Sequence, residues 1–117
     1  MIIMYGIKNC DSVKKARKFL DENNISYEFH DFKTDGINPI QLRSWINQLG
    51  WQKLINKRST TWRNLPAETK ENMDETLALV VAEEQPTIIK RPLLELPERI
   101  MVGFSEKSYS ELLETQG

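Results

Sequence analysis

The chain opens with a β-α-β pattern, and this pattern constrains the fold more than any other feature of the sequence. Residues 1–5 form a short apolar run closed by Gly6, which indicates a buried strand. Apolar residues then recur at helical spacing from Asp11, and Asn23 suits the end of that helix. Residues 25–29 alternate between apolar and polar side chains, so a second strand follows. A helical crossover between two strands favours a parallel pair.

The middle of the chain is predicted to be helical. Asn38 can cap a helix whose first residue is Pro39, and Gly50 can end it. Residues 33–36 are predicted to form a turn, and residues 56–65 a loop, because the latter are polar and aperiodic. Further helices are predicted near Trp51, Pro66 and Asp74, the last with a buried stripe of Leu77, Val80 and Val81.

The C-terminal part of the chain predicts a hairpin followed by a helix. Residues 93–96 and 100–104 are apolar runs joined by a short turn, which indicates an antiparallel pair. The fold class is therefore predicted to be α/β (α+β), a four-stranded mixed sheet within a single domain spanning residues 1–117. A helical insertion would separate its βαβ half from its ββα half. Ser105 can cap the last helix, with Tyr109, Leu112 and Leu113 facing inward.

The charge balance and the cysteine count of the chain argue against several classes of binding partner and site. Sixteen Lys and Arg against seventeen Asp and Glu leave a formal net charge of −1, which argues against a nucleic-acid or polybasic membrane binder. The longest apolar run, residues 77–82, is too short to span a membrane. The first residues lack the basic and apolar pattern of a signal peptide, so we expect none. One cysteine and one histidine exclude an internal disulfide and a Cys/His zinc site. We expect a cytoplasmic monomer without nucleic acid, membrane or metal.

Cys10 is the one residue whose placement by itself suggests a mechanism. It falls between the end of the first predicted strand and the start of the first predicted helix. Free backbone N–H groups and the helix dipole favour a negative charge there. Lys8 and Lys14 are close enough in sequence to stabilise a thiolate, whereas Asp11 opposes it. The alternative is a buried, inert cysteine, the usual environment of a free thiol in a folded protein.

Two arginines could bind an anion beside such a thiolate. Arg58 falls in the predicted loop, and Arg91 directly precedes Pro92 and the third predicted strand. Guanidinium groups bind carboxylates and oxyanions with paired hydrogen bonds, so a convergent pair would suit an anionic substrate. The alternative for each is a solvated surface charge. Arg63 is a weaker candidate of the same kind, and His30 has no neighbouring ligands with which to form a metal site.

Four segments of the sequence carry a resemblance that covers nearly the whole chain. They are Tyr-Gly-Ile-Lys-Asn-Cys-Asp-Ser at 5–12 with Lys-Lys-Ala at 14–16, Arg-Ser-Thr-Thr-Trp-Arg at 58–63, Lys-Arg-Pro-Leu-Leu at 90–94, and Gly-Phe-Ser at 103–105. In this order they resemble the arsenate reductase/Spx-like family, and are most similar to its YffB-type branch. The resemblance implies a thioredoxin-like fold formed by residues of about 1–35 and 86–117. A helical insertion of about 37–85 would interrupt it.

The resemblance also assigns roles to individual residues. Cys10 matches the family's nucleophile, and Arg58 and Arg91 match two of the three oxyanion-binding arginines of the arsenate reductases. The third has no counterpart, because Met-Val-Gly-Phe follows Ile100. The Spx-type Cys-x-x-Cys switch has Val13 in its second position, so that switch is absent. The family's cis proline before the third strand matches Pro92, and Lys8 joins the expected anion-binding residues.

The function implied is that of a glutathione-dependent thiol/disulfide reductase with a single catalytic cysteine. Such an enzyme needs no bound cofactor, and glutathione or another small thiol or disulfide would be its co-substrate or substrate. We expect Cys10, Arg58 and Arg91 to converge on one shallow pocket that holds the anionic part of glutathione. Two alternatives remain open: a non-catalytic Spx-like interaction or regulatory module, and an arsenate reductase proper.

Overall fold

A computed structural model describes the chain from residue 1 to residue 116, apart from the side chains of residues 113, 115 and 116. The contacts within the chain divide it into two compact units. Unit 1 contains Met1–Lys33 and the chain from Arg91 onward, and unit 2 contains Thr34–Lys90. The elements are β1 (Ile3–Gly6), α1 (Asp11–Glu22), β2 (Glu28–Asp31), α2 (Phe32–Asp35), α3 (Pro39–Leu49), α4 (Trp51–Leu54), α5 (Thr60–Arg63), α6 (Ala67–Glu71), α7 (Glu75–Glu84), a 3₁₀ helix (Pro86–Ile88), β3 (Leu93–Glu95), β4 (Ile100–Val102) and α8 (Glu106–Gln116).

Unit 1 is built on a four-stranded sheet in the order β2-β1-β3-β4. β1 and β2 are parallel, as the α1 crossover requires, and β1–β3 and β3–β4 are antiparallel. This arrangement confirms the predicted mixed sheet and fold class. The strands themselves are shifted along the chain, since β2 begins at Glu28 rather than at Ile25. Ile25, Tyr27 and Phe29 nevertheless pack against the core of unit 1, which explains the alternation seen in the sequence.

Helix α1 packs against the sheet through its apolar stripe, and its bounds confirm the predicted ones. Val13, Ala16 and Leu20 are fully buried. Gly6, at the end of β1, lies so close to α1 that a Cβ added there would approach Val13 Cγ2 to 2.7 Å. After the helix, Asn24 adopts a positive φ of 55°, a conformation that asparagine tolerates.

Tyr109 on α8 completes the core of unit 1. Its ring is fully buried, and it contacts the rings of Phe19 at 5.8 Å and Phe104 at 4.8 Å between centroids. Its hydroxyl is buried without a hydrogen-bond partner in the described part of the chain. Ser105 Oγ accepts a hydrogen bond from Ser108 N at 3.1 Å, which confirms the predicted cap of α8. Leu112 is also buried, whereas the side chain of Leu113, expected beside it, lies outside the described residues.

Unit 2 contains the helices from α3 to α7, and the predicted caps of its longer helices are confirmed. Asn38 Oδ1 accepts a hydrogen bond from Ile40 N at 2.9 Å, and Gly50 ends α3 with a φ of 84°. Asp74 Oδ1 accepts a hydrogen bond from Leu77 N at 2.8 Å at the start of α7. The core of this unit is formed by the apolar side chains of Leu42, Trp45, Ile46, Leu54, Ile55, Leu65, Ala78, Val81, Ala82, Ile88 and Ile89.

Three predictions for the middle of the chain were wrong. Residues 33–36 were expected to be a turn, but α2 covers most of them. The expected loop at 56–65 contains α5, which is capped by Ser59. In α7 the buried residues are Ala78, Val81 and Ala82, whereas Val80 is 45% exposed. Residues 77–82 are apolar all round the helix, so their spacing does not select the buried face.

Candidate functional site

Cys10 is the N-cap residue of α1. Its backbone is extended, with φ −129° and ψ 125°, and its carbonyl oxygen accepts the first helical hydrogen bond from Lys14 N at 2.9 Å. The thiol makes no capping hydrogen bond and is half-buried against the core of unit 1. The sulfur atom therefore caps no backbone N–H group. It lies at the positive end of the dipole of α1, a helix of 12 residues.

The pairing of β1 with β3 places further residues at the same end of the sheet as Cys10, which follows β1 in the chain. Tyr5 pairs with Leu93 in the antiparallel β1–β3 ladder. The residues that follow β1 and those that precede β3 therefore lie at the same end. The loop with Lys8 and Cys10 thus shares this end of unit 1 with Arg91 and Pro92.

Arg91 and Pro92 are joined by a cis peptide bond, which confirms the prediction drawn from the family resemblance. Pro92 is buried, and its carbonyl oxygen accepts a hydrogen bond from Gly103 N at 2.9 Å. Arg91 is half-buried. Its backbone directly precedes Pro92 and the start of β3.

Asp31 was not predicted from the sequence to be a site residue, although its carboxylate binds the backbone of the loop before Cys10. It lies at the end of β2, opposite Gly6, and only 5% of it is exposed. Its Oδ2 accepts a hydrogen bond from Lys8 N at 3.4 Å, and its Oδ1 accepts one from Lys33 N at 2.8 Å. A carboxylate at the end of a buried parallel strand was the available signal, because such a position faces the neighbouring strand-end loop. Lys8 itself is exposed, so its ammonium group can reach an anion from solvent.

Arg58 belongs to unit 2, in the segment between α4 and α5. Its backbone N donates to Asn56 Oδ1 at 3.0 Å, and its carbonyl oxygen accepts from Arg63 Nη2 at 2.8 Å. Ser59 Oγ accepts from Trp62 N at 3.1 Å and caps α5. The Arg58 side chain is exposed and projects from a backbone held on both sides. The placement of Arg58 in one pocket with Cys10 and Arg91 stays a prediction.

The described residues indicate neither a metal site around His30 nor a membrane-spanning helix. The His30 ring is half-buried and packs against Tyr5, with 4.9 Å between centroids. Within residues 1–116 no group of three or more His, Cys, Asp or Glu side chains is placed to hold a metal ion. In the same part of the chain no helix is long and apolar enough to cross a membrane.

Comparison with known proteins points to one family. The ArsC family model matches residues 5–112. An uncharacterized protein of Haemophilus influenzae is 50% identical over 109 residues, which cover 93% of this chain and 96% of that protein. The "Global transcriptional regulator Spx 2" of Bacillus anthracis is 26% identical over 116 residues, covering 97% of this chain and 87% of the regulator.

A solved structure agrees with the sequence comparison. The protein named YFFB is 44% identical and superimposes with a TM-score of 0.91, covering 95% of this chain and 97% of that one. The match includes both units, because it leaves almost none of either chain outside it.

Proposed function

Since the chain belongs to the ArsC family, we propose that it is a cytoplasmic thiol–disulfide oxidoreductase that uses Cys10 as its nucleophile and glutathione as its reductant. One observation carries the proposal: the Cys10 sulfur lies at the N-terminus of α1 without a hydrogen-bond partner of its own in the described part of the chain. The Cys10 side chain is also partly buried against the core of unit 1. Arg91, at the same end of the sheet, supplies a cation for an anionic substrate.

The reaction we propose proceeds by two thiol–disulfide exchanges. The Cys10 thiolate attacks the glutathione sulfur of a mixed disulfide, forming a Cys10–glutathione disulfide and releasing the substrate thiolate. The thiolate of a second glutathione then attacks the glutathione sulfur bound to Cys10. Oxidised glutathione leaves and the Cys10 thiolate is restored. Each cycle consumes the mixed disulfide and one glutathione thiol and releases the substrate thiol and one oxidised glutathione, so the number of disulfide bonds is conserved and no second cysteine of the chain is needed.

The residues around Cys10 would contribute binding and charge stabilisation. The first-turn N–H groups of α1 stabilise the thiolate that leaves or attacks. Arg91 and Lys8 would hold the carboxylates of glutathione, and an arginine is suited to do so bidentately. Arg58 receives the same role from its match to the family motif, and no distance measured in the structure enters that assignment.

The test is glutathione-dependent reduction of the mixed disulfide of glutathione and 2-mercaptoethanol. The rate is measured as the NADPH that glutathione reductase consumes in reducing the oxidised glutathione formed. Wild-type protein should accelerate the reaction, and Cys10→Ser protein should not. Mass spectrometry of the wild-type protein treated with oxidised glutathione should find one added glutathione on Cys10. Equal rates with wild-type and Cys10→Ser protein would overturn the proposal.

A non-catalytic regulator is the second candidate, supported by the similarity to the Bacillus anthracis Spx protein. Val13, in the position of the second switch cysteine, is fully buried beside Gly6, so this chain has no switch of that type. A pull-down with wild-type and Cys10→Ser protein separates the candidates. A partner retained equally by both proteins, without any thiol activity, would favour the regulator.

Arsenate reduction is disfavoured by the lack of a counterpart to the third arginine of the arsenate reductases. Arg99, the arginine next to β4, precedes Ile100, which pairs with Glu95 at the end of the sheet opposite Arg91. It is therefore unable to supply the missing third arginine beside Cys10.

A further inference from the structure

Charge is distributed unevenly along unit 2. No aspartate or glutamate occurs between Asp35 and Glu68, and residues 51–70 carry five cations against Glu68 alone, a net charge of +4. Because the whole chain has a net charge of −1, the remainder carries −5. The cations of residues 51–70 are Lys53, Lys57, Arg58, Arg63 and Lys70.

Several of these cations are joined in one network that contains no carboxylate. Lys57 Nζ lies 5.4 Å from the ring centroid of Trp51 and 5.5 Å from that of Trp62. Arg63 Nη2 donates to the Arg58 carbonyl oxygen, and Lys70 Nζ donates to the Arg63 carbonyl oxygen at 3.0 Å. These groups are held by ring faces and backbone carbonyls, so their charges are not neutralised by any acid in the described part of the chain. We call Trp51, Lys57, Trp62, Arg63 and Lys70 the cation–tryptophan surface.

The backbone beneath this surface is well fixed. Ser59 caps α5, and Thr61 Oγ1 lies 2.6 Å from Thr87 Oγ1. Asn56 N donates to the Ile88 carbonyl oxygen at 2.8 Å, which ties the start of the segment to the 3₁₀ helix. A ligand binding here would therefore order few groups of the protein, which lowers the entropy cost of binding.

The surface suits a short acidic polypeptide better than a nucleic acid. A nucleic acid would gain affinity by stacking bases on the tryptophans, but Lys57 already lies over both rings. A long polyanion would also extend to α6 and α7, where Glu71, Asp74 and Glu75 are exposed and would repel it. A short peptide with several carboxylates can cover the cations alone.

We propose that the cation–tryptophan surface docks an acidic polypeptide, and that this polypeptide carries the disulfide reduced by Cys10. The docking stands on the surface itself, whereas the disulfide rests on the proposed function. The substrate class is then an acidic protein in mixed disulfide with glutathione. Carboxylates on the substrate would pair with Lys57, Arg63 and Lys70, and the edges of the tryptophan rings would contact its aliphatic carbons.

Docking is tested without turnover, by fluorescence anisotropy with Cys10→Ser protein. The probe is a fluorescein-labelled decapeptide of alternating glutamate and serine, and its control has glutamine in place of glutamate. The acidic peptide should bind, weakening as salt rises, and the glutamine peptide should not. Lys57→Met, Arg63→Met and Lys70→Met should each weaken binding about threefold, and Lys57→Arg should restore it.

The matched control is Lys18→Met, which removes an exposed lysine of unit 1 that lies 3.8 Å from Glu22. This variant should bind the acidic peptide as tightly as the parent protein. Equal losses in Lys18→Met and Lys57→Met would overturn the proposal, since the attraction would then be non-specific. Tighter binding of single-stranded DNA of the same charge would also overturn it, in favour of nucleic acid.

The second arm uses wild-type protein and two peptide–glutathione mixed disulfides, one acidic and one with glutamines. The acidic substrate should have a KM about tenfold lower, and Lys57→Met should raise that KM about threefold. Docking without reduction of either substrate would remove the proposed function and leave the docking surface. Reduction of both substrates with equal KM values would remove the docking proposal and leave the proposed function.

Discussion

The hydroxyl of Tyr109 is an unfavourable polar group in the core of unit 1. It is buried among the rings of Phe19 and Phe104 and has no hydrogen-bond partner within the described residues. A buried hydroxyl without a partner costs desolvation energy that nothing returns. We therefore expect Tyr109→Phe to raise the free energy of unfolding by roughly 1 kcal/mol in urea titrations. A loss of stability would show that the hydroxyl has a partner after all.

The same residue gives a pH dependence whose sign can be worked out. Burial raises the pKa of Tyr109 above its ordinary value. Below about pH 10 the tyrosine keeps its proton in both states, so it adds no slope there. Above that pH the unfolded chain loses the proton first, and the wild-type protein should become less stable as pH rises. Urea titrations of Tyr109→Phe protein should lack this part of the decline, whereas parallel curves would contradict the assignment.

Arg91 provides a test of binding geometry at single-residue resolution. Arg91→Lys retains the positive charge but loses the planar pair of donors that a carboxylate accepts. We expect glutathione affinity, measured by calorimetry on Cys10→Ser protein, to fall by roughly 1–3 kcal/mol. Arg99→Lys, at the opposite end of the sheet, is the matched control and should bind glutathione unchanged. An unchanged affinity in Arg91→Lys would indicate that Arg91 acts as a point charge or not at all.

At the scale of elements, the contact between β1 and α1 sets the position of Cys10. A Cβ on Gly6 would lie 2.7 Å from Val13 Cγ2, and Val13 is a rigid, fully buried side chain. Gly6→Ala should therefore lower the free energy of unfolding by about 1–3 kcal/mol and displace the N-terminus of α1. The change should appear in thermal denaturation and in a slower reaction of Cys10 with iodoacetamide.

The double variant Gly6→Ala/Val13→Ala separates crowding from other effects of the added methyl group. Removing the Val13 methyl groups makes room for the new Cβ, so the double variant should be more stable than the sum of the two single changes predicts. Strict additivity would mean that Gly6 and Val13 do not interact, and that the close approach of β1 and α1 is not what requires glycine.

The elements that the sequence predicted are those with periodicity or a strong cap. α1 has the periodicity, α3 has both, and α7 has the Asp74 cap, and their starts at Asp11, Pro39 and Glu75 follow from the preceding residues. α2 and α5 have four residues each, too few for a hydrophobic period to emerge. α5 could have been found from Ser59 as an N-cap, but nothing in the apolar residues 77–82 identifies which side of α7 is buried.

In the candidate site, too, some residues could be predicted from the sequence and others could not. Cys10 was recognisable because a strand end and a helix start flank it, and Pro92 because the family resemblance supplied its cis bond. Asp31 was not, since its role depends on the parallel register that brings it opposite Gly6. The cation–tryptophan surface arises from the contacts of Lys57 with Trp51 and Trp62 and of Lys70 with Arg63, and such contacts leave no spacing signal in the chain.

At the scale of the whole molecule, each unit has its own core and only the peptide links at residues 33–34 and 90–91 join the two along the chain. We expect native-state hydrogen exchange to resolve two groups of protected amides, one in residues 1–33 and 91–116 and the other in 34–90. Sub-denaturing urea should open the two groups with different slopes, because the slope follows the surface each group exposes. One common opening energy and slope would show that the units unfold as one.

The two units also differ in where their spectroscopic reporters lie. All three tryptophans, at positions 45, 51 and 62, belong to unit 2, and the single cysteine belongs to unit 1. Tryptophan fluorescence, excited selectively at the red edge where tyrosine does not absorb, is therefore a signal from unit 2 alone, and one thiol-reactive dye labels unit 1 at a unique position without any engineered residue. Energy transfer from the tryptophans to a dye on Cys10 therefore reports the distance between the two units in the natural sequence.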